Sequence, residues 1–160
     1  MIGNRRHRVR RRDEHGAAMV EFALIAPLFI ALVFAVISYG YMLSYRQAVS
    51  QAASEGARSV AVAPSGTAQA QLASRARDAI NGSLGSYGVQ CATGGVLTRG
   101  GTTVGSCTIT TSTSCGSGGG TCTTVVVDHA YRANPLIPSF PGLGITLPDR
   151  LRYSASMEVG

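Results

Sequence analysis

The chain has 160 residues, a formal net charge of +6, and only 6% aromatic residues with no Trp. That length admits one small domain beside any membrane segment, and the scarcity of aromatics excludes a large self-sufficient core. All 14 basic residues are Arg, and six of them (Arg5, Arg6, Arg8, Arg10, Arg11, Arg12) lie in the first 15 positions, leaving +4 there after Asp13 and Glu14.

Phe22 to Leu43 is a run of 22 residues without a charge. As a helix it would extend roughly 33 Å, enough to cross a hydrocarbon layer of about 30 Å. With its flanks this predicts a transmembrane helix over 17–45, too long for the apolar core of a cleaved secretory signal. Tyr39, Tyr41 and Tyr45 fall at its far end, where amphipathic rings favour the interface. The Arg-rich start reads as an orientation signal, its nucleic-acid-binding reading being outweighed by the adjoining span. It places the N-terminus in the cytoplasm and everything after Tyr45 outside a single-pass inner (cytoplasmic) membrane protein.

Glu21 stands at the lip of this span. Insertion scales put an ionised carboxylate in the bilayer at about 2.5 kcal/mol or more, so it needs a partner, and no cation follows it nearby. Cleavage after Gly16 would supply one: Ala17 would carry an α-ammonium four residues away at the same helix end. Taken singly, Gly16 reads as a breaker that starts the helix, and Glu21 as a favourable charge in a first turn. Together, Gly16, four small or apolar residues, Glu21, Phe22 and an apolar helix resemble the processing site of type IV prepilins and pseudopilins. The wider run from Gly16 through Pro27, with Tyr39-Gly40 and Ala52-Ala53-Ser54-Glu55-Gly56-Ala57-Arg58, resembles the TadE-like branch of tight-adherence (Tad) pilus proteins.

The resemblance implies that a prepilin peptidase cuts after Gly16, that Ala17 becomes the new N-terminus, and that Glu21, beside Phe22, sets the register of one subunit against the amine of its neighbour. The chain departs from many type IV pilins at Ala17, where they carry a methylated Phe. Partners implied are other Tad pilins and pseudopilins, the lipid bilayer, and an inner-membrane platform driven by a secretion ATPase. Removing 16 of 160 residues leaves 144, longer than the major pilins of such systems, which implies a minor pilin in pilus assembly and surface adhesion.

Pro27 removes one backbone hydrogen bond within the span, and the resemblance implies local unwinding there in a filament. An exported helical stem is expected over 46–63, stopped by Pro64-Ser65-Gly66. Its small residues, Ala48, Ala52 and Gly56 beside Ala53, Ala57 and Ala61, suit either close helix–helix approach between subunits or a face resting on the chain's own head. A second amphipathic helix is expected over 67–80, ended by Asn81-Gly82.

Residues 82–120 hold 12 of the 20 Gly and predict long loops that contribute little core. Strands are expected at 106–111, at 121–131 and at 151–159, where Leu151, Tyr153, Ala155, Met157 and Val159 alternate with polar residues. The apolar, Pro-punctuated loop 135–145 is expected to lid the sheet, its other reading being an exposed contact for a partner or a membrane surface. Cys91, Cys107, Cys115 and Cys122 lie in the exported part without zinc spacing, so disulfides are expected. Of the three possible pairings, Cys91 with Cys107 and Cys115 with Cys122 is preferred, because sequence-adjacent pairs would tie down the Gly-rich loops.

No catalytic or phosphate-binding motif is present, and Asp128-His129 is the sole acid–imidazole neighbourhood beyond the leader, with adjacent strand side chains on opposite faces. The expectation is an α+β, non-enzymatic chain without metal or cofactor: leader 1–16, transmembrane helix 17–45, stem 46–63, and a small antiparallel-sheet head over 64–160. Two rival readings are a membrane-anchored extracytoplasmic binding domain, which would not need Glu21, and a DNA-uptake pseudopilin, which the exported charge of +3 supports only weakly.

Overall fold

A computed structural model describes residues 7–115, 119–137 and 147–159, with side chains from Gly16 onward. Helix α1 (His7–Ala61) is followed by α2 (Gln69–Leu84), a 3₁₀ turn (Gly85–Tyr87), and strands β1 (Val89–Ala92), β2 (Val96–Arg99), β3 (Thr102–Ser114), β4 (Thr121–His129) and β5 (Leu151–Val159). The strands form one antiparallel meander in the order β1-β2-β3-β4-β5. The architecture is the expected α+β one.

The chain divides into two compact units, one ending at Tyr39 and one beginning at Gly40. The described part of the first is the N-terminal stretch of α1. Its large apolar side chains are exposed all round, among them Phe22, Leu24, Leu28, Phe34 and Ile37. An 18-residue window of the described helix reaches a mean hydropathy of 2.7 with none of it buried, so α1 is a candidate single membrane span. Gly16 does not start the helix: α1 already runs from His7 and passes through Gly16 and Pro27.

In the second unit α1 becomes one-sided. Tyr45, Val49, Ala52, Ala53 and Ala57 are fully buried with Ile80, Leu84, Val89, Leu97, Val125 and Val127 in one core, while Gln47, Gln51, Ser54, Glu55 and Arg58 face outward. The alanine stripe therefore rests on the chain's own head, which decides between the two readings of those small residues. A Cβ on Gly56 would stand 3.0 Å from Ile80 Cγ1 and 3.3 Å from Val125 Cγ1, so the bare Cα is what lets the helix approach α2 and the sheet this closely. Tyr45 is likewise a core residue and not an interface anchor.

Helix α2 buries Leu72, Ala76, Ile80 and Leu84. It does not stop at Asn81-Gly82 as expected. Asn81 instead accepts from the Cys91 amide through Oδ1 at 2.6 Å and so ties the helix to β1, leaving the helix to close at Gly85 and a left-handed Gly88.

The Gly-rich region departs most from expectation. It forms β1, β2 and the 13-residue β3, and Val89, Cys91, Leu97, Val104 and Cys107 enter the core. Its glycines occupy turns with positive φ, such as Gly94 and Gly95 between β1 and β2, so the same residues that suggest loops make tight hairpins possible. Strand β4 ends at His129, two residues before the expected Tyr131, and β5 matches its expected span and alternation. The disulfides pair Cys91 with Cys107 and Cys115 with Cys122. In the loop before β5, Leu136 is buried and the Arg99 guanidinium donates to the Pro135 and Leu136 carbonyls at 3.2 and 2.9 Å. The expected lid over 138–145 lies outside the described residues.

These contacts set two expectations for stability. A Cβ at Gly105 would collide with the Asp128 carbonyl across the β3–β4 ladder, so Gly105→Ala should destabilise the folded chain by about 1–3 kcal/mol in denaturant unfolding. Cys91 and Cys107 are both buried, and replacing the pair by Ala should remove about 3 kcal/mol by the same measurement, through the 16-residue separation it closes and the packing it fills.

Candidate processing and assembly site

The residues singled out for processing and register lie on one stretch of α1 within the first unit. Gly16, Ala17 and Glu21 are exposed, Phe22 is 73% exposed, and Pro27 is exposed. Helical geometry places Ala17 and Glu21 one turn apart on the same face, at i and i+4. On one helix that is about 6 Å of axial rise, so a neighbouring helix displaced by about one turn would bring its Ala17 amine level with the Glu21 carboxylate.

The bond between Gly16 and Ala17 sits in a helical segment, and a peptidase that takes an extended backbone must open a turn to reach it. Glycine eases that opening by about 1 kcal/mol relative to alanine. A Cβ placed at Gly16 meets nothing within 4 Å in this chain, so packing within the subunit does not demand glycine there. At Pro27 the ring removes the amide that would bond the Ala23 carbonyl, yet the helix continues unbroken. In a membrane-spanning helix, lipid would offer no donor to replace that amide.

The cysteines stand elsewhere, in the second unit, and are not brought to this stretch. Cys91–Cys107 fastens the β1–β2 hairpin to β3, and Cys115–Cys122 closes the tip between β3 and β4. They are staples of the head.

Sequence reasoning missed a polar network at the base of the head. His129 is fully buried, its Nδ1 lying 2.6 Å from the Tyr45 hydroxyl and its Nε2 3.2 Å from the Asn134 carbonyl. A carbonyl only accepts, so Nε2 carries the proton and Nδ1 accepts from Tyr45. Tyr41, Tyr87 and Tyr131 surround this pair: Tyr45 meets Tyr87 edge-on and stacks on Tyr131, while Tyr41 meets Tyr87 edge-on. The tyrosines were visible as a cluster in sequence, but the wet interface and the buried core both favour Tyr, and only the long-range pairing with His129 separates them. Asp128 points to the other face, as adjacent strand residues must, and binds Arg150 at 2.9 Å.

Among the described residues no group of three or more His, Cys, Asp or Glu gathers at metal-binding distance. An open cavity of about 330 Å³ lies beside Cys91–Cys107, with Arg77 as its one charged lining residue and Ala73, Gly95, Thr108 and Ile109 around it. It holds neither a nucleophile–base pair nor paired carboxylates.

Burial holds the His129 imidazole below its ordinary value; the bond to the Asn134 carbonyl and the Asp128 charge oppose that shift, and Arg99 adds to it. In the unfolded chain it titrates near about 6.5. The unfolded state therefore takes up the proton first, so the stability linked to neutral His129 is fully present above about pH 6.5 and declines as pH falls. The unfolding midpoint should drop between about pH 7 and 5, and His129→Gln should flatten that slope while lowering the plateau.

Comparison with known families shows that residues 16–58 match the model described as TadE-like protein. The match bears out, over that segment, the resemblance read from the Gly16–Arg58 residues. No curated protein and no solved structure matches the chain.

Proposed function

We propose that this chain is a minor pilin or pseudopilin of a Tad pilus: a precursor inserted with its Arg leader in the cytoplasm, cut after Gly16 by a prepilin peptidase, and assembled through its apolar helix with other Tad pilins. The observation that carries this reading is the extent of the family match. It begins at Gly16, takes in Ala17, Glu21 and Pro27, and ends at Arg58, leaving out the Arg-rich start and the sheet. The match starts at the residue before the proposed cut and covers the helix through which assembly would proceed.

The physical roles follow from that segment. The leader, with its net +4, resists passage through the bilayer and so fixes the precursor. Its removal lets the helix be lifted by the inner-membrane platform, whose energy comes from a secretion ATPase. Glu21 then finds an amine at equal depth on a neighbour, an interaction that low-dielectric surroundings strengthen and that a one-turn slip would break. The chain acts as substrate and building block, not as an enzyme, and the head is displayed for surface adhesion.

Intact-mass measurement of membrane-extracted protein tests the processing step. Cells with the prepilin peptidase should yield a species starting at Ala17, and cells lacking it should yield only the uncut chain; a leader retained on protein in assembled pili would overturn the proposal. Glu21→Ala should leave insertion and cleavage intact while reducing incorporation into pili at least tenfold, whereas Glu21→Asp should retain part of it. A membrane-anchored binding domain would tolerate both.

A further inference from the structure

The meander leaves β1 and β5 as the two sheet edges. β1 is four residues long and fastened through Cys91 to Cys107, so it offers little to a partner strand. β5 differs. All nine of its residues pair with β4 on one side, and among the described residues no strand pairs with the other. Long edges are ordinarily guarded by Pro, a bulge or a run of like charge, and β5 has none of these: no Pro, no Gly, and one charge of each sign.

Its sequence is self-complementary about Ala155. In an antiparallel pairing of two such strands with Ala155 opposite Ala155, Ser154 meets Ser156, Tyr153 meets Met157, Arg152 meets Glu158 and Leu151 meets Val159. Apolar residues oppose apolar ones on the face toward α1, and on the outer face hydroxyl opposes hydroxyl and cation opposes anion. Arg152 and Glu158 are both exposed there. A strand carrying Arg at both ends would repel its own copy, whereas this one attracts it at two places.

We propose that β5 is a self-recognition edge, pairing antiparallel with β5 of a second copy of this chain so that two five-stranded sheets become one. The pairing also sets polarity. Along the head, Tyr45 of α1 bonds His129, which is the register partner of Leu151, while Val60 packs with Val159, so this part of α1 runs parallel to β5. Two copies joined through β5 therefore carry their α1 segments in opposite directions.

A charge-swap experiment on the full chain in detergent tests this, with association read by sedimentation. The parent chain should self-associate, and Arg152→Glu or Glu158→Arg should each weaken association roughly tenfold by placing two like-charge pairs in the junction. Mixing the two variants should restore it, because Glu then faces Arg at both ends, and so should the double variant R152E/E158R. Recovery on mixing separates a lost contact from a lost fold. Should Arg152→Glu unfold for want of its approach to Asp128, Glu158→Arg, at the far end of the strand, must still lose association while melting as the parent does. A parent chain that stays monomeric, or variants that associate as the parent does, would overturn the proposal.

Discussion

The close seating of α1 on its own sheet is the constraint from which the head follows. A single antiparallel sheet has one face to bury, and here the cover is a strip of Ala52, Ala53, Gly56 and Ala57, side chains too small to hold the helix away. Because the strip is thin, larger residues must come to meet it, and Val125, Val127 and Leu97 from the sheet and Ile80 from α2 do so. The resulting core has few aromatics, and two disulfides make up part of what apolar area does not supply.

That seating gives the two halves of α1 different chemistry although they are one helix. From Gly40 onward the apolar residues keep to one side and Gln47, Gln51, Ser54 and Arg58 take the other. From Met19 to Ile37 the described side chains have no polar side, only large apolar residues exposed in every direction with Glu21 among them. In water such a surface would be intolerable, and in lipid it is the expected one. The change lies in how apolar residues are distributed around the helix, and composition averaged along its whole length would blur it.

What the sequence made legible depended on range. The charge-free run, the β5 alternation from Leu151 to Val159 and the residues around Gly16 that carry the family resemblance are local signals, each confined to a few turns or one strand. The β1–β2 and β2–β3 hairpins were illegible for the opposite reason: Gly94 and Gly95 in the first turn and Gly100 and Gly101 in the second sit at positive φ, and composition alone reads such residues as loop. Asn81 behaves similarly. Its local preference ends a helix, but a bond to the Cys91 amide ten residues on overrides it. The burial of Tyr45 against His129, 84 residues away, has no local signature.

The alanine strip also bears on where subunits can meet. Close helix–helix approach needs small residues free on the surface, and those of the 48–57 segment are already covered by the head. The outward side of that segment is polar and offers hydrogen bonds but little dispersion energy. Under the proposed assembly, close helix packing between copies would fall to the helix before Tyr39, where lipid contributes no hydrophobic drive between helices and association depends on fit and on polar groups. In that stretch the polar side chain in strongest need of a partner is Glu21. Within a bilayer a lone carboxylate would be costly until an amine met it, so under the proposed assembly the group that sets the register would also penalise every arrangement in which it is not met.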